Sequence, residues 1–437
     1  MSTGLFLEKI DKNMLVVITI LIFILVSDTM INQVSDFLVP QLISSFGVVL
    51  FCIFAVIAGI SQYFILQYAK RKIDSQYLKS SSTRILYKIV SLIQYFLFAL
   101  ILILIIQIAF YSSYTTDLLA ALTTISYAFS ITMMGYFAKK FLSWYLSNRQ
   151  PIIVLLFCIS FSLIAISSSL ALTTDLLNFA SKPPQVYPTS PVEFPSYPEG
   201  TFISFLNIAY YYFDLFSFLF VWGATVLLLH EYIRKWRMRH WILVSIPLLY
   251  FLSTFVDNAG LYTPSSDSDW FTYYLFQSLN STAGGLLFGF AFLIIARHIH
   301  NDTVRGYMII SAYGFVLLFI TNQVTLVATS FPPFGTATLL CFGLSSYLIL
   351  VGLYSAALSV SQDAVLRKSI KKSVLNKSRL LGSIGHAEMQ QEIEKWVKIL
   401  DRTDNPTNIS PSMNQDDVRL YIQEILSEVS KRTSRAK

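Results

Sequence analysis

The chain has 437 residues, of which 54% are hydrophobic and only 13% are charged. Soluble domains carry roughly 25% charged residues, so this composition excludes an ordinary soluble domain and indicates a surface that mostly faces lipid. In a soluble protein the net charge of +7 would favour a nucleic-acid partner. Here the basic residues border the apolar runs, which indicates contacts with anionic lipid headgroups instead, and we expect no nucleic-acid partner.

The apolar residues are grouped in runs long enough to cross a lipid bilayer, which takes roughly 20 helical residues. Because backbone groups in hydrocarbon must be hydrogen-bonded within their own segment, such runs are helices. The predicted fold is therefore an all-α integral membrane protein, a bundle of about ten transmembrane helices with a small helical cytoplasmic tail. The predicted spans cover residues 14–34, 46–69, 85–110, 118–138, 151–172, 202–232, 241–261, 270–296, 304–329 and 336–361.

Loops rich in Lys and Arg alternate along the predicted bundle with loops that have almost no basic residues. The loops of the second kind carry a single basic residue between them, Lys182. Because cytoplasmic loops are enriched in Lys and Arg, the alternation predicts that both termini lie in the cytoplasm of a multi-pass cell-membrane protein. The basic loops are at 70–84, 139–149, 233–240 and 297–305.

The composition changes after residue 362, which divides the chain into a transmembrane domain at 1–362 and a cytoplasmic tail at 363–437. The tail begins with a basic amphipathic pattern, and such a helix binds anionic headgroups. We expect Gly382 and Gly385 to end that helix. The headgroup-binding residues are predicted to be Arg367, Lys368, Lys371 and Lys372.

Two further amphipathic stretches, at 389–400 and 416–429, predict a helical hairpin in the tail. A core this small is marginal alone, so we expect the hairpin to dock on the bundle, on a cytoplasmic protein partner or on a second copy.

The tail also carries a resemblance. The stretches RLLGSIGHAEM at 379–389 and DDVRLYI at 416–422 resemble the tail of a family of multi-pass membrane proteins from ammonia-oxidising-type archaea. The resemblance implies an archaeal source. Since that family has no established activity, it implies no catalytic residues.

Polar side chains within predicted spans are costly and are therefore candidates for function. Asp214 leads because it is the carboxylate nearest the middle of a span, and Tyr210–Tyr212 lie in the same outer layer. The hypothesis is an outward-facing polar pocket. The alternative is that amides join helices, tyrosines form an interfacial belt, and acids near the interface such as Asp28 and Asp257 have structural roles. The candidate ligand-binding residues are Asp214, Gln277, Asn280, Asn322, Gln323 and Asp257.

Small residues predict one close helix contact. Gly285 and Gly289 are spaced as in a GxxxG motif, which allows another helix of the bundle, or of a second protomer, to approach. A further hypothesis is an internal repeat relating the second to fifth spans with the sixth to ninth, as in many transporters.

Signatures of catalysis are lacking in the sequence, including the nucleophile-elbow, zinc-protease and phosphate-loop motifs. His298 and His300 form an HxH pair, which is a weak signal for a metal, so we expect no metal site and no cofactor. We expect no enzyme, although a membrane enzyme that uses Asp214 is the alternative.

Function is therefore left to three hypotheses. The first is a sensor or signal-transducing membrane module, in which an outer pocket is coupled to the tail. The second is a secondary transporter of a small solute, and the third is a structural or assembly subunit of a membrane complex.

Overall fold

The computed structural model describes most of the transmembrane domain and one helix of the tail. The described residues are 12–33, 44–74, 81–147, 152–190, 200–232, 241–242, 244–245, 247–248, 267–299, 301–322, 330–362 and 379–400, with side chains at 267–282 and 392–400 outside the description.

Ten helices and one pair of short strands form the described part of the fold. The helices are α1 (Lys12–Gln33), α2 (Ser45–Asp74), α3 (Ser81–Tyr111), α4 (Thr116–Ser147), α5 (Ile152–Ala180), α6 (Phe202–Tyr232), α7 (Asp267–His298), α8 (Asp302–Thr321), α9 (Thr336–Gln362) and α10 (Arg379–Leu400), and the strands are β1 (Tyr114–Thr115) and β2 (Gln185–Val186).

Eight of these helices, α1 to α6 together with α8 and α9, are long and apolar enough to cross a membrane. The prediction of a helical multi-pass membrane protein is confirmed by these helices. The side chains of α7 are described from Ala283 to His298, and this part of α7 is a shorter apolar helix. Of the predicted span at 241–261, the structure describes a few helical residues, and Trp222 Nε1 of α6 donates to the carbonyl oxygen of Val244 at 2.9 Å.

Several helices are longer than their apolar runs. Helix α5 was expected to end near residue 172 but continues to Ala180, so Asp175 lies in the helix and not in the following loop. Thr174 and Asp175, which follow the last run of purely apolar residues, are buried in this extension of the helix.

Helices α8 and α9 lie at the centre of the bundle. Helix α9 contacts α1, α2, α3, α4, α8 and α10, and its apolar stretch is entirely buried within the protein. Helices that line the perimeter instead expose large apolar side chains, such as Phe110 on α3 at 80%. Because lipid is as apolar as a protein interior, both kinds of helix are apolar enough to cross a membrane, and packing shows which ones are central.

Glycines allow the central helices to approach one another closely. A methyl group placed on Gly289 of α7 would lie 2.8 Å from the carbonyl oxygen of Ala312, and one on Gly285 would lie 2.9 Å from that of Val316. The structure thus places both glycines against α8 of the same chain. Gly352 of α9 is as tight, because its methyl group would lie 2.7 Å from the backbone nitrogen of Ser311.

The strand pair lies at one end of the bundle, called here the strand end. Strands β1 and β2 are antiparallel, with Tyr114 opposite Val186, and Thr116 N donates to the carbonyl oxygen of Pro184 at 3.0 Å. This pair joins the loop before α4 to the loop after α5, a contact that the all-helical prediction did not include.

Helix α10 lies at the opposite end, the tail end, where it packs on α9, α4 and α5. The expectation that Gly382 and Gly385 break the helix is wrong, because both lie inside α10. Gly385 has a packing role instead, since a methyl group there would lie 2.8 Å from Cβ of Val360 on α9. The basic segment with Arg367, Lys368, Lys371 and Lys372, and the predicted helix at 416–429, lie outside the described residues.

Candidate functional site

Asp214 is buried near the middle of α6. It lies 12 residues after Phe202, or about 18 Å along a helix axis, and only 8% of its surface is exposed. Asn322 Nδ2 donates to Asp214 Oδ1 at 2.9 Å. Asn322 is positioned as the C-cap of α8, where its backbone N–H donates to the carbonyl oxygen of Leu318. The bond between Asp214 and Asn322 suits both a binding role and the joining of two helices.

A second buried carboxylate, Asp175, lies on the neighbouring helix α5. Helix α5 packs on α6, and Tyr210 of α6 lies within electrostatic reach of Asp214, Asp175 and Tyr127. Asp175 is 5% exposed, and its Oδ2 has no hydrogen-bond partner within the described part of the chain. Asn178, one turn further along α5, is also buried, and its Nδ2 has no partner there either.

We call this group the strand-end cluster: Asp175, Asn178, Tyr210, Asp214 and Asn322. It brings together residues of three helices and lies in the half of the bundle nearer the strand pair. Asp175 and Asn178 were absent from the sequence-based candidates because the loop was predicted to begin before them. Their separation of three residues, which places them on one helical face, is the signal that could have identified a buried pair.

Of the other sequence candidates, Gln277 and Asn280 lie on α7 with side chains outside the description, and Asp257 and Gln323 lie outside the described residues altogether. Their place in the cluster stays a prediction.

Asp28 on α1 has a structural role at the N-terminus of α9. Its carboxylate accepts hydrogen bonds from the backbone N–H groups of Gly335 and Thr338, each at 2.9 Å, and from the Thr338 hydroxyl at 2.9 Å. Asp28 is fully buried. A carboxylate in this position satisfies orphan N–H groups and interacts favourably with the helix dipole, so it caps the central helix from another segment of the chain.

A second polar cluster fastens α10 to the tail end of α4. Trp144 Nε1 donates to Glu388 Oε2 at 2.7 Å, and Lys140 Nζ lies 3.6 Å from Glu388 Oε1. Gln391 Nε2 donates to the hydroxyl of Ser143 at 2.7 Å. We call these residues the tail-helix latch: Lys140, Ser143, Trp144, Glu388 and Gln391.

The latch is unusual because Glu388 is almost fully buried, with 4% of its side chain exposed. A buried carboxylate is stable only with hydrogen bonds and a countercharge, and both are supplied here by α4. Lys140 also lies over the ring of Tyr354 on α9, 5.1 Å from its centroid, so the cation joins α4, α9 and α10. Trp144 and Glu388 are 244 positions apart, so no local pattern in the sequence predicted this contact.

Within the described residues, no group of three or more His, Cys, Asp or Glu side chains is arranged to hold a metal ion. Comparison with protein-family models, curated proteins and solved structures finds no match for this chain. The resemblance of the tail to an archaeal family therefore stays a prediction.

Proposed function

We propose that this protein is a signal-transducing membrane module, in which the strand-end cluster receives a ligand and helix α10 passes the change to a partner. The observation that carries the proposal is the latch, because it attaches the tail helix to α4 through a buried carboxylate. A tail that served only as a membrane anchor would not require such a contact.

Helix α4 supplies the connection between the two clusters. It has 32 residues, or about 48 Å of helix, and extends from Thr116 at the strand end to Ser147 at the tail end. Tyr127 of α4 lies within electrostatic reach of Tyr210, while Lys140 and Trp144 of the same helix hold α10. A shift or rotation of one rigid helix would change both clusters, which is the kind of element that coupling between two sites requires.

The orientation belongs to the proposal. Basic loops at the tail end, and loops at the strand end that carry a single basic residue, Lys182, support a cytoplasmic position for α10. The ligand would then reach the strand-end cluster from the outside, and the partner of α10 would be a cytoplasmic protein.

The test is to change the strand-end cluster and to measure α10. In full-length protein reconstituted in lipid nanodiscs, Asp214→Asn is expected to change hydrogen exchange of the backbone amides at 380–391 several-fold. Asp117→Asn is the matched control, because Asp117 is an exposed acid at the start of α4. Glu388→Gln serves as the positive control, since it removes the charge that faces Lys140. Unchanged exchange at 380–391 in both Asp214→Asn and Asp175→Asn would refute the proposal.

A secondary transporter is the second candidate, and the observation that favours it is the burial of Asp175 and Asp214 within spans, in addition to the capping residue Asp28. The same variants distinguish the two. A transporter predicts that Asp214→Asn abolishes solute uptake into proteoliposomes and leaves exchange in α10 unchanged.

A further inference from the structure

The open oxygen of Asp175 is the starting point. Its carboxylate is more than nine-tenths buried in an apolar span, and Oδ2 has no hydrogen-bond partner among the described residues. No basic side chain in that part of the chain forms an ion pair with Asp175. An ionised carboxylate without a partner is among the most costly groups to bury, so a positive charge at this position would be strongly stabilised.

The surrounding groups supply further oxygen atoms. Tyr210 of α6 lies within electrostatic reach of Asp214, on the same helix, and of Asp175 on α5. Asp214 is already oriented by Asn322, whose amide occupies one carboxylate oxygen at 2.9 Å. The Asn178 amide is buried one turn from Asp175, and a 180° rotation about its last bond exchanges its nitrogen and oxygen atoms. The cluster therefore combines carboxylate, phenol and amide oxygens.

The charge and the number of ligands select the class of ion. Two carboxylates exclude an anion. Ca²⁺ takes six to eight oxygen ligands and Mg²⁺ requires an octahedral site, which proteins usually build with several carboxylates. The described residues contain no cluster of three acids, histidines or cysteines. A monovalent cation needs less negative charge and fewer ligands.

We propose that the strand-end cluster binds a small monovalent cation, either an alkali-metal ion or a protonated primary amine, with Asp175 as the principal ligand and Asp214 as the second. This inference names the ligand class for the site in the proposed function and rests on that function only for its consequence at α10. Cation binding itself holds equally for a transporter.

The test measures the thermal stability of purified full-length protein in detergent at constant ionic strength. Titrations use NaCl, KCl, methylammonium chloride and CaCl₂, each against N-methyl-D-glucamine chloride. One monovalent ion is expected to raise Tm with a saturating dependence on concentration. Asp175→Asn and Asp214→Asn are each expected to weaken that apparent affinity at least tenfold, whereas Asp117→Asn leaves it unchanged.

A measurement on the unmodified protein covers the case in which the variants do not fold. The bound cation is expected to slow hydrogen exchange of backbone amides at 170–180 of α5 several-fold. The metal-ion and methylammonium arms distinguish the two sources of charge. Equal stability and equal exchange in all the salts would overturn the inference, as would saturation that survives Asp175→Asn or a stronger effect of CaCl₂ than of any monovalent salt.

The two proposals fail separately. Cation binding without any change in α10 supports the site and overturns signalling, whereas coupling of Asp214→Asn to α10 without cation binding overturns only the assignment of the ligand.

Discussion

Removal of the Asp28 carboxylate is the perturbation whose effect on stability the structure defines most directly. Asp28→Ala deletes the cap of α9, the helix that contacts six others. Three hydrogen bonds are lost, from Gly335 N, Thr338 N and Thr338 Oγ1. The alanine leaves nothing in their place, because Asp28 is fully buried and α1 is packed against α9.

The magnitude follows from which donors become unsatisfied. The two backbone N–H groups lose their acceptor, and each buried unsatisfied group costs about 1–3 kcal/mol. The Thr338 hydroxyl keeps an alternative acceptor, since the carbonyl oxygen of Leu25 lies 3.2 Å away. We therefore expect Asp28→Ala to lower the free energy of unfolding by about 2–6 kcal/mol. Asp28→Asn keeps one acceptor oxygen and is a residue that caps helices well, so we expect a smaller loss of about 1–2 kcal/mol.

The assay is unfolding of the purified protein in mixed micelles of mild detergent and SDS, followed by circular dichroism. Thr19→Ala is the matched control on α1, because its hydroxyl is solvent- or lipid-facing and bonds only the carbonyl oxygen of Leu15 in its own helix. That variant should stay within about 0.5 kcal/mol of the original protein. If Asp28→Ala were no more destabilising than Thr19→Ala, the carboxylate would not be a cap and the reasoning would be wrong.

Two further predictions concern packing and pH. Gly289→Ala is expected to lower the free energy of unfolding by about 1–3 kcal/mol, because the added methyl group would press against the backbone of Ala312 on α8. Gly135 has open space around it, so Gly135→Ala should leave the stability unchanged or slightly higher. The same SDS titration measures both, and equal effects would contradict the close contact. The pH prediction concerns Tyr114, which lies between two spans and whose hydroxyl donates to the carbonyl oxygen of Ser330 at 2.8 Å. Burial raises the pKa of that hydroxyl above its usual value of 10.0. Since the folded state favours the protonated phenol, stability from this group is complete below pH 10 and is lost as pH rises above it. Tyr114→Phe should therefore reduce the decline in Tm between about pH 9 and 11, and a decline as steep as in the original protein would refute the assignment.

The sequence predicted ten spans, and eight of them are long apolar helices in the described part of the structure, because a bilayer imposes length and apolarity on every helix that crosses it. It predicted Asp214 as the leading buried acid for the same reason, since a charge within an apolar run is visible without any structure. The contact of Gly285 and Gly289 with a neighbouring helix was also indicated by their spacing, although the partner helix was not.

Asp175 and Glu388 show where the sequence was insufficient. Asp175 follows the last apolar run of α5, and in sequence it is indistinguishable from the first polar residue of a loop. Glu388 lies in an amphipathic stretch where an acid is expected to face water, yet α4 buries it. In both cases burial depends on a neighbouring helix that is distant in sequence.

The sequence by itself determined that this is a helical multi-pass membrane protein. The reason is that each segment's own apolar length and charge decide whether it lies in lipid or in water. Only the tertiary structure decided which helices are central, that Asp28 caps α9, that Asp175 is buried within the bundle, and that α10 is fastened at the tail end. The physical reason is that lipid-facing and buried surfaces are both apolar, so the arrangement of helices depends on close packing and on a few polar contacts between distant segments.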